Sequence, residues 1–134
     1  MLCRWKDVKV SDELSRLPPQ VQERLLRLQQ LQQTLQSVLV QKQQVEVELT
    51  EIEQALSELQ KISDDTTIYR AIGSLLVKSE KNKTITDLNE QKELFSTRAT
   101  VLGKQEERLR SQVKELQAKL QQDLSPISSS QPEQ

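Results

Sequence analysis

The sequence predicts a mainly α protein: an antiparallel two-helix coiled-coil hairpin with a β-hairpin inserted between its helices. Three observations predict it. Two long stretches repeat their apolar residues in heptads, a short connector rich in β-formers lies between them, and the composition is too thin for a packed globule. Of the 134 residues 34% are hydrophobic, 29% charged and 2% aromatic, with only two glycines. Aromatic side chains bury the most area per residue, and here they are Trp5, Tyr69 and Phe95 alone. Gln, Glu, Lys, Arg and Leu lose little rotamer freedom in a helix, whereas glycine loses much backbone freedom. One domain accommodates the whole length.

Residues 1–18 read as an irregular N-terminal extension ending in Leu17-Pro18-Pro19. Proline disfavours helix at the residue before it but pre-sets a helix start. The first helix is expected over residues 19–62. Val21, Leu28, Leu35, Lys42, Leu49 and Leu56 take one seam position, and Arg24, Leu31, Val38, Val45, Ile52 and Leu59 the other. All are apolar except Arg24 and Lys42, whose long side chains can snorkel. A 3.5-residue period held this long is a coiled-coil signal. The second helix is expected over 83–124. Leu88, Phe95, Leu102, Leu109 and Leu116 form one row, and Ile85, Lys92, Ala99, Glu106, Val113 and Leu120 the other. Gly103 beside that seam costs about 1 kcal/mol relative to alanine. Each run is about forty residues, roughly 60 Å long, and equal helices joined by a short connection fold back antiparallel. The tail, 125–134, carries Pro126, Pro132 and a serine triplet and reads as disordered.

The connector is the informative part. Ser63-Asp64-Asp65 interrupts the heptads, and residues 66–79 read as a β-hairpin around Gly73-Ser74. Glycine first in a two-residue loop fits a type II′ turn. That register pairs Ile72 with Leu75, Arg70 with Val77 and Tyr69 with Lys78. Ile68, Ile72, Leu75 and Val77 then share one face, and Tyr69, Ala71 and Leu76 the other. Both faces are apolar, yet a lone two-stranded hairpin is marginal in water and its edges invite pairing. Oligomerisation through Ile68, Tyr69, Ile72, Gly73, Leu75, Leu76 and Val77 is therefore expected.

Catalysis is not expected. Histidine is absent, which removes the commonest general base and metal ligand. The single Cys3 makes neither an internal disulfide nor a thiolate metal site. Gly103-Lys104 ends like a phosphate loop, but Gln105 follows it and no glycine lies five residues upstream. Asp64-Asp65 reads as a turn pair rather than a catalytic carboxylate pair. No metal, no cofactor and no enzyme activity are expected. Nineteen basic against twenty acidic residues leave a net charge of −1, with no basic stripe for nucleic acid. No stretch reaches the roughly 18 consecutive apolar residues of a membrane span. Arg4, Lys6, Asp7 and Lys9 interrupt any secretory apolar region near the start, so the cytoplasm is the expected compartment.

In its details the chain resembles the prefoldin beta-type subunits. The residues that carry the resemblance are Pro18-Pro19-Gln20-Val21-Gln22 at the helix opening, Gln41-Lys42-Gln43 with Glu48-Leu49-Thr50-Glu51 in mid-helix, and Gln105-Glu106-Glu107 in the second helix. More specific is the connector, Asp64-Asp65, Ile68-Tyr69-Arg70, Gly73 and Leu75-Leu76-Val77-Lys78. The match spans about residues 18–122, within a prefoldin-like domain at 19–124. The resemblance implies a heterohexamer of two alpha-type and four beta-type subunits, whose β-hairpins join into intersubunit β-barrels. It implies an ATP-independent holdase that captures unfolded proteins at coiled-coil tips and passes them to a group II chaperonin. The longer N-terminal extension departs from the pattern.

If the tips bind clients, the apolar side chains there are Leu17, Val21, Leu25, Leu26, Leu28, Leu116, Leu120 and Leu124. Leu25 and Leu26 fall off the seam, as do Leu39, Val40 and Val47 further along. The same side chains would also suit a wider seam or contact with a neighbouring subunit. The competing reading of the whole chain is a coiled-coil scaffold without client binding, whose tips are inert.

Overall fold

The structure, a computed structural model, describes residues 16–129. The N-terminal extension up to residue 15 and the tail from residue 130 lie outside the described residues. Four elements follow in order: helix α1 (Pro19–Lys61), strands β1 (Ile68–Ile72) and β2 (Leu75–Ser79), and helix α2 (Lys81–Ser129).

Helix α1 starts where the two prolines put it. The Pro18 carbonyl accepts from the amides of Val21 and Gln22 at 3.0 and 3.1 Å, and Pro19 occupies the first helical position, where its missing N–H costs nothing. Gln22 Nε2 reaches back to the Leu17 carbonyl at 2.8 Å. The helix stops at Lys61, one residue before the sequence expectation. A turn follows, closed by Thr66 N–H to the Ser63 carbonyl at 3.1 Å and by the Ser63 and Thr66 hydroxyls at 3.0 Å. Asp64-Asp65 lies inside that turn. Helix α2 begins at Lys81, two residues earlier than expected, because its first turn closes at once, with Thr84 N–H bonded to the Glu80 carbonyl at 2.9 Å. It also continues past Leu124 to Ser129. Pro126 sits within that last stretch, where the missing N–H removes a single helical bond.

The hairpin has the expected register: Ile72 faces Leu75, Arg70 faces Val77 and Tyr69 faces Lys78. Gly73 has φ +60°, and among the described residues no other has positive φ. A positive angle at the first loop position alone fits the type II′ turn.

The chain divides into two compact units. One is Val38–Gln105, holding the hairpin; the other joins the residues up to Ser37 with those from Glu106 onward. In each unit the helices run antiparallel. Lys92 pairs with Glu53 at 3.8 Å in the hairpin unit, and Arg24 pairs with Asp123 in the other. The core is a narrow seam. Leu31, Val38, Val45 and Ile52, one every seven residues, are buried, together with Val21, Leu102 and Leu120. Every other seam position assigned from the heptads, Lys42, Arg24, Lys92 and Glu106 included, is at least half-buried. The helical threonines 34, 50, 86, 97 and 100 each bond the carbonyl four residues back, which satisfies hydroxyls that would otherwise compete with the helix.

Candidate functional site

Apolar side chains stand exposed off the seam, and two of the places where they gather are those expected from the sequence. The first is the helix pair made by the start of α1 and the end of α2, fixed by the Arg24–Asp123 ion pair. Around it the eight leucine and valine residues expected at the tip separate by burial. Val21 and Leu120 are 4% and 5% exposed and close the seam. Leu17, Leu25, Leu28 and Leu116 are half-buried. Leu26 and Leu124 stand out at 61% and 40% exposure. The heptad accounts for the extremes: Val21 and Leu120 lie on the seam, whereas Leu26 lies on the outer side of its helix. It does not separate half-buried Leu28 and Leu116, on the seam, from half-buried Leu25, off it. A shallow groove beside them is lined by Arg27, Leu31, Gln112, Glu115, Leu116 and Lys119. Charged residues thus border the apolar ones.

The second region is the β-hairpin. Tyr69, Ile72, Leu75, Leu76 and Val77 are all exposed, Leu76 most of all at 73%. Ile68 is half-buried. Among the described residues only Ile68, Arg70 and Ser79 of the two-stranded sheet are half-buried, and no third strand pairs with either outer edge. Local chemistry builds this element: β-branched and aromatic residues favour a pleated strand, and Gly73 supplies the reversal.

Polar contacts at the base of the hairpin were not visible in the sequence. Arg70 bonds Asp87 at 2.9 Å, and the Ser79 and Thr84 hydroxyls lie 2.7 Å apart. Lys81 Nζ donates to the Ile62 carbonyl at 2.8 Å and to Asp64 at 3.1 Å. These pairs lie 5 to 19 residues apart, off any helical or strand period. Exposed Leu94 and Val101 on α2 were also missed. Their seven-residue spacing was the available signal, matched on α1 by Val40 and Val47. The groove in that part of the hairpin unit is lined by Val40, Val45, Val47, Phe95, Arg98 and neighbouring glutamines. Among the described residues no group of His, Cys, Asp and Glu could hold a metal ion, and no helix is long and apolar enough to cross a membrane.

Against known proteins, the family model described as prefoldin subunit matches residues 22–126. The prefoldin subunit beta of Archaeoglobus fulgidus is 50% identical over 113 residues, 84% of this chain and 97% of that protein. The chain belongs to the prefoldin beta-subunit family. The Methanosarcina acetivorans prefoldin subunit beta is 41% identical over 84% of this chain and 96% of its own length. Among solved structures, the prefoldin beta subunit from Thermococcus strain KS-1 superposes with a TM-score of 0.73 at 42% identity, over 81% of this chain and 96% of that one. The beta2 subunit of the same strain, at 24% identity and TM-score 0.62, shares the fold. Prefoldin subunits are components of a chaperone rather than enzymes, and prefoldin beta subunits form hetero-oligomers with other prefoldin subunits. The two long helices and the intervening hairpin of this chain are the prefoldin beta fold.

Proposed function

We propose that this chain is a subunit of an ATP-independent cytoplasmic holdase, which grips unfolded polypeptides at the free end of its helix pair and releases them to a group II chaperonin. The observation that carries the reading is the exposure of Leu26 and Leu124 beside half-buried Leu17, Leu25, Leu28 and Leu116. Buried Val21 and Leu120 belong to the platform under that patch rather than to its surface. Exposed apolar side chains rimmed by charge mark an interaction surface, and an unfolded chain offers matching apolar segments. Each patch is small, so its affinity is low. Several patches on one client raise the total by effective concentration, without nucleotide, and weak single contacts permit hand-over.

In the same proposal the exposed hairpin docks into a β-barrel with its neighbours, two alpha-type subunits serving four beta-type ones. Strand addition covers the free edges and the two apolar faces together. The partners are the alpha-type subunit, unfolded proteins and the chaperonin, with neither nucleic acid nor membrane engaged.

A photo-crosslinking amino acid placed at Leu26, Leu124 or exposed Gln54 tests the site. The full chain is assembled with an alpha-type subunit and mixed, without nucleotide, with a chemically denatured protein. Crosslinks from positions 26 and 124 and few from 54 are expected. Equal yields at all three positions overturn tip capture, and no crosslinks at any of them favour the inert scaffold.

A further inference from the structure

The hairpin is held to the helices almost without apolar packing. From residue 68 to 79 Ile68, Arg70 and Ser79 are half-buried and the others exposed, and Ile68 is the sole apolar one of the three. The other two each bond a residue near the start of α2. Arg70 Nη1 donates to Asp87 Oδ2 at 2.9 Å, and the Ser79 and Thr84 hydroxyls meet at 2.7 Å, with Thr84 buried at 8% exposure. The strand register puts Arg70, Ile68 and Ser79 on one face, the face turned to the helices.

The covalent links are uneven. Glu80 alone separates β2 from α2, whereas six residues separate the end of α1 from β1 (Ile62 to Thr67). A one-residue link leaves a few soft backbone dihedrals about which the hairpin can swing. Side-chain packing would normally stop that swing, but here the outer residues, Tyr69, Ile72, Leu75, Leu76 and Val77, are exposed. Ser79–Thr84 lies next to the link and resists rotation with a short lever. Arg70–Asp87 acts from the other strand, at the longer lever, and is the contact that sets the angle.

We propose that Arg70–Asp87 is a positioning contact that pre-orients the hairpin for docking with neighbouring subunits, with Ser79–Thr84 as its pivot. The inference rests on the reading of the hairpin as the assembly element. Arg70 and Asp87 side chains are 40% and 33% exposed, so the contact is screened by salt and is modest in strength. Such strength holds an orientation and still lets it adjust when neighbouring strands add. A chain whose docking-competent orientation is only partly populated binds in proportion to that fraction, so loss of the contact weakens assembly about two- to five-fold without unfolding the helices.

The test uses the full chain with Cys3→Ser and spin labels at Ser74→Cys and Glu90→Cys, both exposed positions. Distance distributions are measured for the parent, for Arg70→Asp, for Asp87→Arg and for the Arg70→Asp/Asp87→Arg double variant. Circular dichroism checks that helix content is unchanged. The same four chains, unlabelled, are titrated with an alpha-type subunit. A narrow distribution in the parent, broadened by either single change and narrowed again in the double variant, with assembly weakened and restored in parallel, is the expected result. Single variants with a distribution as narrow as the parent's overturn the inference, as do single variants that assemble equally well. A parent that does not assemble removes the docking reading and this inference together, whereas a failure confined to the variants' effects removes the inference alone.

Discussion

Lys81 occupies the first position of α2, the end of a helix where the macrodipole disfavours a cation. Its side chain is nonetheless only 13% exposed and bonds the Ile62 carbonyl and Asp64. The placement makes sense from the other helix: a cation beside the C-terminal end of α1 satisfies a carbonyl that has no helical partner. Lys81→Met keeps the aliphatic stem and removes the donor, so stability falls by about 1–2 kcal/mol, read as a lower Tm. At the other end of the helices burial separates two kinds of leucine and valine. Leu26 is exposed, and Leu26→Ser leaves Tm nearly unchanged, within about 0.5 kcal/mol, while client protection drops. Val21 is buried, and Val21→Ala lowers stability by about 2 kcal/mol with protection retained below the new Tm. Chemical denaturation alongside a protection assay checks both; protection lost with Val21→Ala and kept with Leu26→Ser would reverse the assignment.

The two glycines separate what an element demands of its backbone. An added Cβ meets nothing within 4 Å at either one, so space does not distinguish them. Gly73 has φ +60° and Gly103 lies within a helix. Gly73→Ala therefore strains the turn by about 1–2 kcal/mol and weakens assembly, whereas Gly103→Ala raises stability by about 1 kcal/mol. Thermal unfolding of both variants gives opposite signs on this account, and equal signs contradict it. The glycine also explains why the hairpin was legible in the sequence: one turn residue and a period of two set the register without knowledge of anything else. The heptads were legible for the same reason, since the seam repeats locally and even charged Arg24, Lys42, Lys92 and Glu106 sit on it half-buried. Arg70–Asp87, Ser79–Thr84 and Lys81–Ile62 were not legible, because such pairs depend on how the strands leave the helices. Nor did the heptads alone sort the tip, where Leu17, Leu25 and Leu28 are partly covered and Leu26 is not. The helix bounds moved by one to five residues because caps and turns, such as Thr84 to Glu80, decide them.

On the scale of the whole molecule, the chain buries its seam and, besides Val40, Val47, Leu94 and Val101 along the helices, leaves two apolar surfaces exposed. One is the hairpin, which membership of the prefoldin beta family connects with hetero-oligomer formation; the other is the exposed leucine patch, proposed here to hold clients. A seam with few large side chains and a hairpin open on both faces give the chain modest stability alone, and docking adds to it by mass action. Tm is thus expected to rise with the concentration of alpha-type subunit, and a Tm independent of that subunit would argue against coupled assembly. Assembled chains are proposed to protect unfolded proteins through their tips. The most direct measurement of this is suppression of aggregation of a chemically denatured protein, without ATP, by this chain assembled with an alpha-type subunit. The comparison is the same complex with Leu25→Ser, Leu26→Ser and the residues beyond Leu116 removed. The intact complex is expected to protect and the altered one to assemble without protecting; equal protection by both would overturn capture at the tips.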